Sequence, residues 1–323
     1  MNLLRHFPRA AVIAAALLSA TVASAETWPT KPIRLVVPFS AGGANDLMAR
    51  AAAEGASKAL GQPIIVDNKP GAGTALGADL VSKAAPDGYT FLVSAAGVIS
   101  NSMIRKSMPY KDEALVPVAM IGLAPSVIVV PADAPYKTLK EFIDASKKSG
   151  AGFHWATAGT GSTPHFVEGL LQTKYGAKLD VVPYKSGSES ITAVLGSQVE
   201  ATSEASIVVL PYLKSGKLKA LADTWTSRIS AYPELATAKE QGFPEIQIAH
   251  WAGVHAPKGT PDAILDKMAA AIDAAMKSPE TAKRLKDMGI EPIGGTRASF
   301  TKFVDEERAR LGGVVKATGM KED

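Results

Sequence analysis

The stretch Pro38-Phe39-Ser40-Ala41-Gly42-Gly43-Ala44-Asn45-Asp46 joins a β-rich run to a helical one. Two adjacent glycines let backbone N–H groups approach a ligand, and the helix start behind them offers unpaired donors and the positive end of a dipole. That chemistry suits a carboxylate. An ordinary βα turn capped by Asn45 reads the same residues equally well. A second loop of similar design is Thr157-Ala158-Gly159-Thr160-Gly161-Ser162-Thr163-Pro164-His165, with added hydroxyls and Pro164 in the first turn of a helix. Two anion-receptive loops, one in each half of the chain, are what a cleft gripping one ligand from both sides requires. Ligands of open α/β sheets lie beyond the carboxyl ends of the strands.

Other chemistries find less support. Pro70-Gly71-Ala72-Gly73-Thr74-Ala75-Leu76-Gly77 imitates a dinucleotide fingerprint, but its spacing is G-x-G-x-x-x-G and no acid follows around Leu92 to Ala95. A turn is expected there. No G-x-S-x-G elbow occurs, there is no cysteine nucleophile, and Gly216-Lys217 runs on into Leu218 and not Ser or Thr. Ser162 and His165 are a conceivable nucleophile and base, although no orienting acid can be named for them. His250 and His255 differ by an odd number of residues, so on a strand they point to opposite faces. His154 and His165 complete the histidines beyond the N-terminal segment. No metal site and no cofactor are expected.

Short β-rich runs alternate with helical patterns throughout. Strands are expected at Ile33 to Val37, Ile64 to Val66, Thr90 to Val93, Val127 to Val130, Phe153 to Ala156, Leu179 to Val182 and Leu218 to Ala222. Helices are expected near Asn45 to Leu60, Thr74 to Ala84, Leu139 to Lys148 and Pro164 to Tyr175, and over the tail from Pro261. Strands alternating with helices mean βαβ units and largely parallel sheets. No solenoid-type repeat and no low-complexity segment interrupts the chain.

Arg5 and Arg9, the apolar run Ala10 to Leu18 and Ala23-Ser24-Ala25 before Glu26 form the order of a cleaved signal peptide. The apolar run is shorter than the ~20 residues a spanning helix needs. What remains is long enough for two domains. With no cysteine in 323 residues, neither disulfides nor a lipidated thiol support an exported chain, so packing must. Lys and Arg number 35 against 31 Asp and Glu, with the signs interspersed, which is not the clustered basic face of a nucleic-acid binder.

Several separated motifs add to this: Trp28-Pro29-Thr30-Lys31-Pro32-Ile33, Val37-Pro38-Phe39-Ser40-Ala41-Gly42-Gly43, Asn68-Lys69-Pro70-Gly71-Ala72-Gly73, Ala84-Ala85-Pro86-Asp87-Gly88-Tyr89-Thr90, Val182-Pro183-Tyr184-Lys185 and Ala256-Pro257-Lys258-Gly259-Thr260-Pro261. In this order, and over nearly the whole chain behind the signal, the sequence resembles the Bug or TctC family of extracytoplasmic solute receptors, the binding components of tripartite tricarboxylate transporters. The resemblance implies an α/β Venus-flytrap fold of the type II-like periplasmic binding proteins, with the ligand in the interdomain cleft. Residues 26–127 and 252–323 would form one lobe and residues 128–251 the other. It implies that Phe39, Ser40, Ala41, Gly42, Gly43, Ala44, Asn45 and Asp46 meet the ligand from one side, and Thr157, Thr160, Gly161, Ser162, Thr163 and His165 from the other.

Departures from the family pattern fall near the ligand. Gly43-Ala44-Asn45-Asp46 stands where relatives commonly have Gly-Gly-Pro-Thr-Asp, so an amide that can still donate replaces a hydroxyl. Ser203-Glu204 stands where many relatives have Phe-Asp, which puts Glu204 among the candidate ligand contacts and gives the floor a longer acid. That acid would repel a second carboxylate or accept from an amine or hydroxyl. Ser94-Ala95-Ala96-Gly97-Val98-Ile99 makes one wall less polar, which keeps aromatic acids beside di- and tricarboxylates as ligands. The expected protein is a monomeric periplasmic receptor without enzymatic activity that hands a small carboxylate to transporter subunits. A sensor feeding a signalling receptor and a secreted hydrolase using Ser162 are the alternatives.

Overall fold

The computed structural model describes residues 28–321, and the segment read as a signal peptide lies outside the described residues. The first half of the chain runs β1 (Ile33–Val37), α1 (Ala44–Leu60), β2 (Ile64–Asn68), a 3₁₀ turn (Ala72–Thr74), α2 (Ala75–Ser82), β3 (Thr90–Ser94) and α3 (Ala96–Ile104). After a second 3₁₀ turn come β4 (Leu115–Pro131), α4 (Leu139–Lys148), β5 (Phe153–Thr157), α5 (Thr163–Tyr175), β6 (Leu179–Pro183), α6 (Gly187–Leu195), β7 (Ala201–Ala205), α7 (Ser206–Lys214) and β8 (Leu218–Asp223). The chain closes with β9 (Ala249–Pro257), α8 (Asp262–Lys277), α9 (Pro279–Asp287), β10 (Glu291–Pro292) and α10 (Arg297–Thr318).

The result is a two-lobed α/β fold. In the first lobe β1 pairs in parallel with β2 and β3, and β3 continues antiparallel into β9 and then β4. In the second, β5 pairs in parallel with β6 and β7, while β7 and β8 pair antiparallel with β4. Strand β4 serves both. Its pairing with β9 ends at Pro125 and its pairing with β7 starts at Ser126, two residues ahead of the boundary expected at 127/128. From Val118 to Val130 every residue of β4 is buried, which is the signature of a strand covered on both faces.

Alanines on α1 let it approach α8 closely: a Cβ on Gly55 would lie 2.5 Å from that of Ala275. In the second lobe Phe166, Val167, Leu170 and Leu171 of α5 pack with Trp155 and Ile128 on one face of the sheet. Ile191, Val194, Val209 and Leu210 pack with Val127 and Val129 on the other.

The last helix corrects the expectation that the chain from 252 onward belongs wholly to the first lobe. Phe300 and Val304, near its start, pack with Trp251 and Met120. Leu311 and Val314, and Met320 just beyond it, pack into the second lobe's core with Phe166 and Leu170. Helix α10 therefore straddles both lobes, because its apolar residues meet two separate cores along its length.

Phe300 is its main fastening to the first lobe. The ring is 1% exposed, meets Trp251 and His255 edge-on at 6.1 and 5.3 Å, and lies over Gly253, where any side chain would collide with it. Phe300→Ala should cost about 3–5 kcal/mol of unfolding free energy in denaturant titrations. A loss below about 1 kcal/mol would mean that the helix is anchored elsewhere.

Candidate functional site

The first glycine loop leaves the carboxyl end of β1 and enters α1. Its cap is Gly43, with no side-chain hydrogen bond to the helix start, and this replaces the expected Asn45 cap. The Asn45 side chain is turned inward, its amide nitrogen donating to the Trp251 carbonyl at 2.9 Å and so tying α1 to β9. That amide was expected to be available to the ligand, and the bond to β9 uses one of its two N–H groups.

Asp46 is likewise internal, only 1% exposed. Its Oδ2 accepts from the Gly42 N–H and the Arg50 guanidinium, both at 2.9 Å, and its Oδ1 accepts from Asn68 at 2.8 Å. Burial alone would raise its pKa, but the Arg50, Gly42 and Asn68 bonds outweigh this and hold the carboxyl below its ordinary value. Asn68 also donates to the Phe39 carbonyl. Asn45 and Asp46 thus hold the loop from beneath, while Ser40, Ala41 and Gly42 are exposed and Phe39 and Gly43 half-buried.

The second loop leaves the carboxyl end of β5. Gly161 adopts φ +73°, and a Cβ there would meet Ile104 Cδ1 at 2.6 Å, so the loop can lie against α3 only with glycine at this position. Ser162 caps α5, yet its hydroxyl donates to the Gly159 carbonyl at 2.6 Å instead of accepting from the helix. His165 Nδ1 accepts from the Gly161 N–H at 3.3 Å, and burial pushes the imidazole down to about 4. The ring is neutral at ordinary pH. Both groups of the conceivable Ser162–His165 pair are committed to the loop's own backbone. Thr157 and Thr163 are buried, and Thr160 is half-buried.

Helix α3, which the sequence pattern did not disclose, joins the glycine loops. Ser100 Oγ donates to the Gly161 carbonyl at 3.4 Å, and Asn101 donates to the Gly73 carbonyl at 3.0 Å. Arg105 donates to the Ala72 carbonyl at 2.7 Å. The third glycine loop therefore turns carbonyls toward α3, consistent with the turn reading. Its last glycine serves close packing, since a Cβ on Gly77 would lie 2.8 Å from Pro38 Cβ, and α2 thereby presses on the root of the first loop.

Glu204, at the carboxyl end of β7, is 4% exposed. Burial, partly opposed by the Ala205 N–H, pushes its carboxyl up to about 8. His255 Nδ1 lies 2.7 Å from Ser94 Oγ, and His250 Nε2 lies 3.3 Å from Ser126 Oγ. The two imidazoles have separate partners, and among the described residues no group of three His, Asp or Glu is placed to hold a metal. Cavities of about 460 and 360 Å³ flank α10 and are lined by none of the glycine-loop residues. The loops are the better candidate because they, and not those cavities, stand at the carboxyl ends of parallel strands.

Comparison with known proteins bears on the family and the fold. The model of a family described as the tripartite tricarboxylate transporter family receptor matches residues 48–320. BugT of Bordetella pertussis is 35% identical over 324 residues, covering 99% of both chains. The periplasmic binding protein BugD superposes with a TM-score of 0.84 at 30% identity, covering 92% of this chain and 100% of its own. Rpa4515 of R. palustris, solved with adipate, superposes with a TM-score of 0.86 at 30% identity, covering 91% and 99%.

Asp46→Asn should lower stability by about 1.5–3 kcal/mol in chemical denaturation, since it weakens charge-assisted bonds to Arg50 and Gly42. A second expectation concerns pH. Glu204, Glu168 and Asp223 hold protons in the folded chain to about pH 8, 7 and 7, all raised by burial. Groups raised in this way contribute stability that is complete below their unfolded pKa and lost as pH climbs through the folded one. The buried histidines, with lowered values, act oppositely below about pH 6.5, which leaves the alkaline side as the clear window. The melting temperature without ligand should therefore fall between about pH 6.5 and 8.5, and Glu204→Gln should flatten that fall. An unchanged slope in the variant would mean that Glu204 ionises as it does in the unfolded chain.

Proposed function

This chain belongs to the tripartite tricarboxylate transporter receptor family, and from that premise we propose that it captures a small carboxylate-bearing solute in the periplasm and delivers it to a membrane transporter. The family's members are binding proteins and not enzymes. The observation that carries the ligand reading is the pair of helix starts, Gly43 before α1 and Ser162 before α5, whose first N–H groups receive no side-chain cap. Thr138, Ser186, Ser278 and Thr296 cap their helices with hydroxyls, whereas α2, α3, α7 and α8 also start without a side-chain cap, so it is the glycine-loop setting of α1 and α5 that distinguishes them. At the carboxyl ends of β1 and β5 such starts can receive an anion that brings its own oxygens, with fewer donors at α5, where Pro164 has no N–H and the His165 N–H donates to the Ser162 carbonyl at 3.0 Å. The adipate bound to Rpa4515 supports the same chemistry.

Backbone N–H groups bind without the reorganisation that long charged side chains would need. Closure follows if the ligand prefers the closed lobes, and a shift from 1:99 to 99:1 requires about 5.5 kcal/mol of differential affinity. No helix among the described residues is long and apolar enough to cross a membrane, so delivery requires a partner that does. The hydrolase alternative has lost its nucleophile–base contact, because Ser162 donates to Gly159 and His165 accepts from Gly161.

A thermal-shift screen of the chain from Glu26 onward against mono-, di- and tricarboxylates and aromatic acids should find one class that raises the melting temperature. A ligand at 100 times its dissociation constant adds about 2.7 kcal/mol. Gly43 has an ordinary φ of −78°, and a Cβ there would meet only the Ser40 carbonyl, at 3.5 Å. Gly43→Ala should therefore fold normally yet bind the hit at least about tenfold more weakly, a loss of about 1.4 kcal/mol. Equal affinity in that variant would remove the first loop from the site.

A further inference from the structure

The smaller of the two cavities beside α10, about 360 Å³, lies between that helix, α3, β9 and the segment from Tyr110 to Pro117. It contains no residue of the glycine loops. The charged and imidazole side chains that line it are Asp112, Glu113, Asp305, Arg308 and His255. Arg308 is committed: its guanidinium donates to Asp112 Oδ2 at 2.6 Å, and the same oxygen accepts from Ser102 at 2.6 Å. Asp112 Oδ1 is buried and has no partner. Glu113 and Asp305 are exposed, and neither has an ion-pair partner. Three carboxylates therefore face one guanidinium that is already in use.

His255 adds a second acceptor from beneath. It is 5% exposed, and its ring is held between Phe300, edge-on at 5.3 Å, and Ser94. Ser94 Oγ donates its one proton to the Gly253 carbonyl at 3.2 Å, so the 2.7 Å contact with His255 Nδ1 is completed by a proton of the imidazole. This bonding assigns the proton to Nδ1 and leaves Nε2 as a bare acceptor. Nε2 has no partner in the chain, and it is not among the buried atoms that lack one, so it opens on the cavity that the ring lines. Burial pushes the imidazole down to about 3 and keeps it neutral. Native proteins pair nearly all of their buried polar side chains, and here two acceptors stand without donors in a space that already carries surplus negative charge. A metal ion fits poorly, since no group of three His, Asp or Glu among the described residues can hold one and the Arg308 guanidinium occupies Asp112 Oδ2.

We propose that this cavity is a second binding site, separate from the glycine loops, for a small organic dication of the diamine class. One ammonium donates to Asp112 Oδ1 and His255 Nε2, and the other faces Glu113 and Asp305. The ligand brings the two things the cavity lacks, positive charge and N–H donors, and charge-assisted bonds of this kind are the strong ones. Its contacts would join β9 and the segment from Tyr110 to Pro117 to α10, the helix that continues into the second lobe. The proposal is independent of carboxylate capture, and its failure leaves that reading untouched.

The test is calorimetric titration of the purified chain with 1,4-diaminobutane, with 1-aminobutane and tetramethylammonium as controls. The diamine should bind one per chain with a dissociation constant below about 1 mM. Tetramethylammonium, which carries charge but no N–H, and 1-aminobutane, which has a single cationic end, should each bind at least tenfold more weakly. The double variant Glu113→Gln, Asp305→Asn changes only exposed side chains, so it should melt like the parent without amine and lose the preference for the diamine over 1-aminobutane. His255→Phe keeps a ring against Phe300 and removes Nε2, and it should weaken both amines at least tenfold. Absence of saturable diamine binding overturns the inference. Tetramethylammonium binding as tightly as the diamine also overturns it, because the acids would then act only as diffuse surface charge. A double variant that keeps the parent's preference overturns it as well, and that variant decides the matter even if His255→Phe does not fold. A folded His255→Phe chain that binds amines like the parent overturns the role of Nε2 and with it the site.

Discussion

Strand β4 has to satisfy two sheets at once. Its first part pairs with β9 and β10, its second with β7 and β8, and both faces are covered from Val118 to Val130. A buried strand must place every backbone N–H and C=O in a ladder, and Pro117 and Pro125 bring no N–H to it. Register irregularities near Pro117, Met120 and Ile128 accommodate this double duty. Both lobes take their position from this strand, and so do the strand ends that carry the two glycine loops.

The site itself is built from backbone and supported by side chains. Asp46, Asn45 and Asn68 spend their polar atoms on the first loop and on β9, and His165 and Ser162 spend theirs on the second loop. Side chains that looked like ligand contacts mainly fix the conformation in which N–H groups are presented. On the proposed reading, preorganisation of this sort lets short, small-residue loops receive an anion through backbone N–H groups, with no Lys or Arg in either of them.

Much of the architecture was legible in the sequence. The runs Ile33 to Val37 and Leu139 to Lys148 coincide with β1 and α4, because one is an aliphatic, β-branched run broken only by Arg34 and the other a strongly amphipathic helix with a Thr138 cap. The glycine loops were legible as loops. Strand β7 was not, because Ala-Thr-Ser-Glu-Ala has little strand propensity and is extended only through its neighbours β4 and β5. The first part of β4 was hidden by its prolines and Gly122. The inward roles of Asn45 and Asp46 could not be read locally either, since the partners of these residues, Trp251 and Asn68, are distant in sequence. A signal was present in the Asn68-Lys69-Pro70 motif, but an asparagine at a strand end does not by itself name the carboxylate it will meet.

The straddling helix α10 settles where the two ends of the described chain lie. Trp28 is fastened to the first lobe, its indole donating to the Gly88 carbonyl and its own carbonyl accepting from Lys267. Met320, at the other end, is buried in the second lobe's core. A rotation of one lobe against the other is therefore expressed as a change in end-to-end separation. Fluorophores attached at the two ends would follow that rotation directly, with no insertion into either domain.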